Sequence, residues 1–223
     1  MYVIIYSFAL TLIAYILAKG LNTYLPRIPV IVTSMCLVVA FLYLLGVPYE
    51  QYAISTQNIF NHLLGYATVA LAIPLATMRY DDLSLKPLVG ILSFASLSAV
   101  SLPMLLAYLF HLSEPTILAF ATRAVTTPIA LNIATLIGSP VSMVSLIVIL
   151  SGLIGGGFAS LVLKNIHDER AIGLALGLAA HAIGTVQAWQ RSPVAGRYAA
   201  FGMAVNGVFT AIWLPLAFSL IHG

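Results

Sequence analysis

Charge, cysteine and buried acid are all scarce in this chain. Of its 223 residues, 7% are charged and 61% hydrophobic, with a mean hydropathy of +1.07. A soluble domain carries about 25% charged residues, so the composition is that of an integral membrane protein. The single cysteine, Cys36, excludes an intrachain disulfide and a cysteine-based metal site. The six carboxylates, Glu50, Asp81, Asp82, Glu114, Asp168 and Glu169, all fall in expected loops. That leaves no acid in the membrane for catalysis, a metal or a proton relay, and no Ser/His/Asp arrangement appears. Neither an enzyme nor a cofactor is expected. No basic segment precedes the first apolar run, so residues 2–18 are expected to be a retained span rather than a cleaved signal. The formal charge of +3 is spread through short loops, where it orients a chain in a bilayer; no nucleic-acid partner is expected.

What is present is a series of apolar runs of helical length without the alternation of an outer-membrane barrel. The chain has room for about six to eight crossings in one compact domain with no soluble module. Spans are expected near residues 2–18, 29–45, 59–77, 87–110, 141–163 and 198–221, with a mixed interfacial linker at 46–58 and a kink at Pro74. Residues 78–86 form a charged loop, 138–140 a turn, 164–170 a loop and 191–197 a polar connection. Gly152, Gly155, Gly156 and Gly157 sit inside the span 141–163, where glycines let helices approach closely. Trp189 and Trp213 fit interface anchors, and His62, His111, His167 and His222 fall near span ends.

Two remaining segments, 115–137 and 171–190, are interrupted. The first contains Arg123-Ala-Val-Thr-Thr-Pro-Ile-Ala130, a cation, two hydroxyls and a proline within an apolar stretch. Pro128 lacks an N–H and disfavours helix in the residue before it, so a break is expected near Thr127. The second contains His181-Ala-Ile-Gly-Thr185, again a basic residue followed by small residues and a threonine. If both segments cross the membrane, Lys164 and Arg170 lie opposite Lys19, Arg27, Arg79 and Lys86. If each enters and returns on its own side, all these bases share one face with Arg191 and Arg197, as the positive-inside rule favours. Arms of about ten residues, ~15 Å of helix, reach half of the ~30 Å hydrocarbon core. Discontinuous helices that cross are the alternative.

The expected fold is therefore an all-α polytopic membrane protein of about six full spans plus two broken or re-entrant helical hairpins. Residues 1–86 supply scaffold spans and 87–223 an inverted-repeat core, in the manner of a secondary transporter. The interior offers cations and dipoles: Arg123, His181, the hydroxyls of Thr126, Thr127 and Thr185, and the amides of Asn132 and Gln187. Half-helices starting after Thr127 and after Gly184 would aim free N–H groups at the same space. With Pro128 making the break and Gly184 permitting close approach, this set suits an anion, Arg123 pairing a carboxylate in a bidentate fork. Thr126, Thr127 and Pro128 read equally well as a structural break. His181 is a candidate proton carrier, so the coupling ion is H+ or, through backbone carbonyls at half-helix C-termini, Na+.

At these motifs the chain resembles the LrgB/CidB family of bacterial inner-membrane proteins, which includes the plastid glycolate/glycerate transporter. The resemblance rests on Val69-Ala-Leu-Ala-Ile-Pro-Leu75, Val125-Thr-Thr-Pro-Ile-Ala130 and His181-Ala-Ile-Gly-Thr185, in that order, and covers nearly the whole chain. Where the family often has an arginine after its Gly-Thr, and an acid three residues on, this chain has Gln187 and Gln190. The resemblance implies transport of small monocarboxylates such as glycolate, glycerate, pyruvate or lactate across the bacterial inner membrane. It also brings the family's older label, an antiholin-like regulator of murein hydrolase export and autolysis. It implies a small LrgA/CidA-type membrane subunit as a partner; a homo-oligomer is also expected.

Overall fold

All regular structure in the computed structural model, which describes residues 2–24, 28, 30–70, 72–77 and 85–222, is helix. The expected Arg27 and Pro29 and most of the charged loop, with Arg79, Asp81 and Asp82, lie outside the described residues. The chain forms two compact units, Met1–Ala67 and Thr68–Gly223.

The first unit packs α1 (Tyr2–Asn22) on α2 (Val30–Leu45), with α3 (Tyr49–Ala70) held to α1 by polar contacts. Ser55 Oγ donates to Ser7 Oγ at 2.9 Å, Thr11 Oγ1 and Tyr52 OH lie 2.7 Å apart, and Phe8 meets Phe60 with ring centroids at 5.9 Å. Helices in lipid have no solvent-driven reason to associate, so hydroxyl pairs of this kind help join them. Helix α3 already begins at Tyr49, so most of the expected linker 46–58 is helical. Gly46, at φ +66, closes α2: its neighbour Val47 N–H reaches back to the Leu42 carbonyl. Pro74 falls in a separate short helix, α4 (Ala72–Thr77).

The second unit contains α5 (Leu85–Leu109), α6 (Glu114–Phe120), α7 (Thr127–Leu136), α8 (Val141–Val162), α9 (Glu169–Arg191) and α10 (Pro193–His222). Among the described residues five helices are long and apolar enough to cross a membrane, in α1, α5, α8, α9 and α10. One of the five does not run straight. A straight helix of α9's 23 residues would hold its ends about 33 Å apart. Instead Arg191 Nε lies 2.9 Å from Glu169 Oε1, and Ser192 Oγ donates to Glu169 Oε2 at 2.8 Å. The helix therefore folds back on itself, and the fold is at His181, the one residue inside it with non-helical φ and ψ. It is a re-entrant hairpin.

The first interrupted segment is a hairpin too. Leu88 and Leu92 of α5 cluster with Phe201 of α10, Ser96 Oγ lies 2.9 Å from Thr210 Oγ1, and Val100 clusters with Leu214. Thus α5 and α10 run parallel. Gly207 of α10 faces Ile129, and Ile133 and Ile137 join the cluster of Leu214 and Phe218, so α7 runs in the same direction. Since α5 leads into α6 through residues 110–113, α6 starts at the end where α7 finishes. Its first arm has seven residues, shorter than the expected ten. Left-handed turns at His111 (φ 55) and Gly138 (φ 72) close α5 and α7 at that end.

The unit is thus a long span and a hairpin, α5 with α6–α7, repeated upside down as α8 with α9, and closed by α10. Lys164 and Arg191 line one cavity at the mouth of the second hairpin, and the parallel α5 and α10 bring Lys86 and Arg197 to the same end. At this mouth Asp168 caps α9 through the Arg170 N–H, and the Arg170 side chain bonded to it holds the Asp168 carboxyl below the usual carboxylate range.

Single cysteines in a Cys36→Ser background test this path. With the protein in sealed vesicles, Ser113→Cys and Ser142→Cys should react with an impermeant maleimide from one side, and Lys164→Cys and Gln190→Cys from the other. Labelling of Ser113→Cys and Ser142→Cys from opposite sides would mean that the first segment crosses.

Candidate functional site

The apex of the first hairpin is a loop, 121–126, between α6 and α7. Thr126 is extended (φ −66, ψ 147) and Pro128 occupies the first turn of α7, where its missing N–H costs nothing. The break is where the proline placed it. Arg123 is half-buried here, and its guanidinium donates to Ser151 Oγ of α8 at 3.1 Å. Its Nε, buried, has no partner. The ion pairs found among the described residues, Arg170–Asp168 and Arg191–Glu169, are elsewhere, so none of the described carboxylates neutralises Arg123. Thr126 Oγ1 is buried without a partner and caps nothing. Asn206 of α10 donates its Nδ2 to the Ala124 carbonyl at 2.8 Å, and its Oδ1 is left unpaired. The first-turn N–H groups of α7, at Thr127 and Ile129, have no earlier helical carbonyl to bond.

At the apex of the second hairpin, His181 (φ 39, ψ −123) is 3% exposed. A non-glycine residue in this region costs about 1–3 kcal/mol and persists only where its surroundings fix it. What fixes it is the Val148 carbonyl of α8, 3.1 Å from Nε2. A carbonyl only accepts, so Nε2 carries the hydrogen and the neutral ring keeps Nδ1 as a free acceptor. The glycine run of α8 makes the approach possible. A Cβ on Gly152 would lie 2.7 Å from His181 Cε1, and one on Gly155 3.0 Å from the Ala180 Cβ. Gly173 and Gly177 seat the same hairpin on α10, where a Cβ would meet the Ala195 and Ala199 carbonyls at 2.2 and 2.1 Å.

The two apices therefore rest on one helix. Their anchors, Val148 and Ser151, are three residues apart, about 5–6 Å on one helical face. Arg123 and His181 thus both reach the middle of α8, and Thr126, Thr127 and Pro128 follow Arg123 in the first apex. Several expected residues take other roles. The second half-helix starts directly after His181, not after Gly184, because the turn is made by the histidine itself. Gly184 instead lets the two arms touch, a Cβ there falling 2.2 Å from the Leu176 carbonyl. Thr185 Oγ1 donates to the His181 carbonyl at 2.8 Å, within its own hairpin. Asn132 is exposed, more than a turn up α7 from the apex. Ser151 and Asn206 were not singled out in the sequence; each is one of a few scattered polar residues in an apolar span, without a motif around it.

Gln187 lies one turn closer to the mouth of the second hairpin. Its Oε1 is buried and unpaired, 3.3 Å from where a Cβ on Gly156 would sit. It also lines a cavity of about 250 Å³ that opens among Lys164, His167, Arg191 and Ser160. A basic mouth thus opens between the C-terminal end of α8 and the arms of the second hairpin.

The chain matches the LrgB-like family over residues 11–220. It is 33% identical to the uncharacterized protein YwbG of Bacillus subtilis, across 99% of this chain and 100% of that protein. It is 31% identical to an uncharacterized protein of Haemophilus influenzae, across 86% and 84%, and 28% identical to the holin-like protein CidB of Staphylococcus aureus, across 96% and 95%. No solved structure matches.

The glycine run makes a paired prediction. Gly152→Ala should force His181 off the Val148 carbonyl and lower stability by about 1–3 kcal/mol, as overpacking does. Gly157→Ala, with nothing within 4 Å of its Cβ, should be neutral or gain up to about 1 kcal/mol of helix propensity. Thermal unfolding in detergent reads both, and equal melting temperatures would show that α8 does not seat His181.

Proposed function

The chain belongs to the LrgB-like family, and from that premise we propose that it is a membrane transporter or facilitator for a small organic anion, with no enzymatic activity. One observation carries the reading. The half-buried guanidinium of Arg123 has no carboxylate partner among the described residues and stands beside free N–H groups at the start of α7. A cation kept inside a membrane protein is costly unless it meets a partner. Here the missing partner is the solute. Arg123 holds the carboxylate of a glycolate- or pyruvate-sized monocarboxylate, and Thr127 and Ile129 N–H share the charge. His181 offers Nδ1 to a hydroxyl or carries a proton, and the basic mouth near Gln187 gathers anions from one face. We place the protein in the bacterial cytoplasmic membrane, as a homo-oligomer or beside a small LrgA/CidA-type subunit.

A second reading is favoured by the name of a relative. CidB of Staphylococcus aureus is a holin-like protein, and a holin- or antiholin-like regulator of murein hydrolase export would use these helices in an oligomeric lesion. The apices then serve only to hold the fold.

Uptake of labelled glycolate and pyruvate into proteoliposomes separates the two. We expect saturable uptake that falls at least ~10-fold in Arg123→Ala, the loss of one charge-assisted bond of about 1.5–3 kcal/mol. Arg123→Lys should retain part of it. Flux proportional to concentration, unselective between solutes and indifferent to Arg123→Ala in a folded preparation, would sink the transporter and favour the lesion.

A further inference from the structure

The turn of the first hairpin leaves a group of oxygens without hydrogen-bond donors. The carbonyls of Ala121, Arg123 and Val125 receive no hydrogen bond from the described residues, since the bonds around the turn go to Leu118, Phe120, Thr122 and Thr126. Beside them lie two further oxygens without partners, Thr126 Oγ1 and Asn206 Oδ1, on residues only 6% and 2% exposed. Asn206 is anchored by its own amide nitrogen to the Ala124 carbonyl, which keeps Oδ1 at the turn. Ala121, Ala124 and Val125 are buried as well. Unserved oxygens at this depth need a partner. The Arg123 guanidinium is drawn away to Ser151 of α8, whereas Asn206 comes from α10.

We infer that the turn of the first hairpin, with Thr126 and Asn206, is a binding site for a small monovalent cation, Na+. The ligand set explains the choice. Hard cations take oxygen ligands, and all five oxygens here are neutral, so nothing offsets a divalent charge. Five oxygens drawn from one tight turn and one amide suit Na+ better than the larger K+. Carbonyls at the C-terminal end of α6 also carry the negative end of its dipole. The charge of Arg123 opposes the ion when the anion site is empty and is cancelled when it is filled. Binding of Na+ does not depend on the proposed anion transport; coupling to it does, and there Na+ lowers the anion concentration for half-saturation several-fold.

The test is binding of radioactive Na+ to the purified full chain in nanodiscs, with choline as the inert salt. We expect saturable binding in the wild type and in Thr126→Ser, and binding at least ~10-fold weaker in Thr126→Val, which keeps the shape and removes the oxygen. Excess K+ should compete poorly. Na+ should raise the melting temperature of the wild type and Thr126→Ser but not of Thr126→Val, with melting in choline reporting whether each variant folds. Absence of saturable Na+ binding to the folded wild type, or equal binding to Thr126→Val, overturns the site and leaves ordered water as the partner of these oxygens. Anion uptake in the same preparations keeps the two ideas apart. Na+ binding without anion flux sinks the transporter and supports the ion site; anion flux unchanged by replacing Na+ with choline, with no Na+ bound, does the reverse.

Discussion

A helix that stops halfway across a membrane leaves backbone donors and acceptors where no water is at hand, and everything in the second unit follows from how those groups are met. The loop at 121–126 and the turn at His181 each interrupt a hydrogen-bond ladder at depth. Such interruptions survive only when buried in protein or lining a polar space. The fold supplies the first condition by wrapping both turns with α8 and α10. Asn206 takes one carbonyl, Thr185 another, and Val148 takes the imidazole hydrogen.

Wrapping that tightly demands small residues. The arms of the second hairpin lie so close to α8, α10 and each other that a β-carbon at Gly152, Gly173, Gly177 or Gly184 would fall within 2.8 Å of a neighbouring atom. In a membrane, contact of this kind substitutes for the solvent-driven burial that joins helices in water. The strained backbone of His181 is tolerated for the same reason: the ring is held between α8 and the hairpin, with no room to relax. Glycine placement and histidine conformation are therefore one feature seen from two helices.

Much of this was legible in the residues because membrane constraints are coarse. Apolar length gave the spans, and the one-sided distribution of lysine and arginine favoured hairpins over crossings before any contact was known. Pro128 marked the first turn within a residue or two. The second half-helix was expected to start after Gly184, three residues late, while the close approach expected of that glycine is found. The turn itself is made by the histidine, and the glycine packs arm on arm. Asn132 and Asn206 show the other limit. Both are lone amides in apolar helices, and only the rotation of each helix, which the sequence fixes weakly in so apolar a segment, turns one outward and the other to the turn.

The two halves of the inverted repeat are not equivalent in how the polar groups at their apices are met. In the second hairpin the polar groups at the apex are occupied by the protein: Nε2 of His181 by Val148, and the His181 carbonyl by Thr185. In the first only some are, the Arg123 guanidinium by Ser151 and the Ala124 carbonyl by Asn206. Arg123 Nε, Thr126 Oγ1 and Asn206 Oδ1 are all buried and all unpaired. A purely structural apex would resemble the second, since an unpaired buried polar atom costs about 1–3 kcal/mol with nothing gained. Three at one turn, around a guanidinium with no carboxylate partner among the described residues, are what the proposed anion and cation sites rest on. The second hairpin instead spends its histidine on α8, through Nε2 and the Val148 carbonyl.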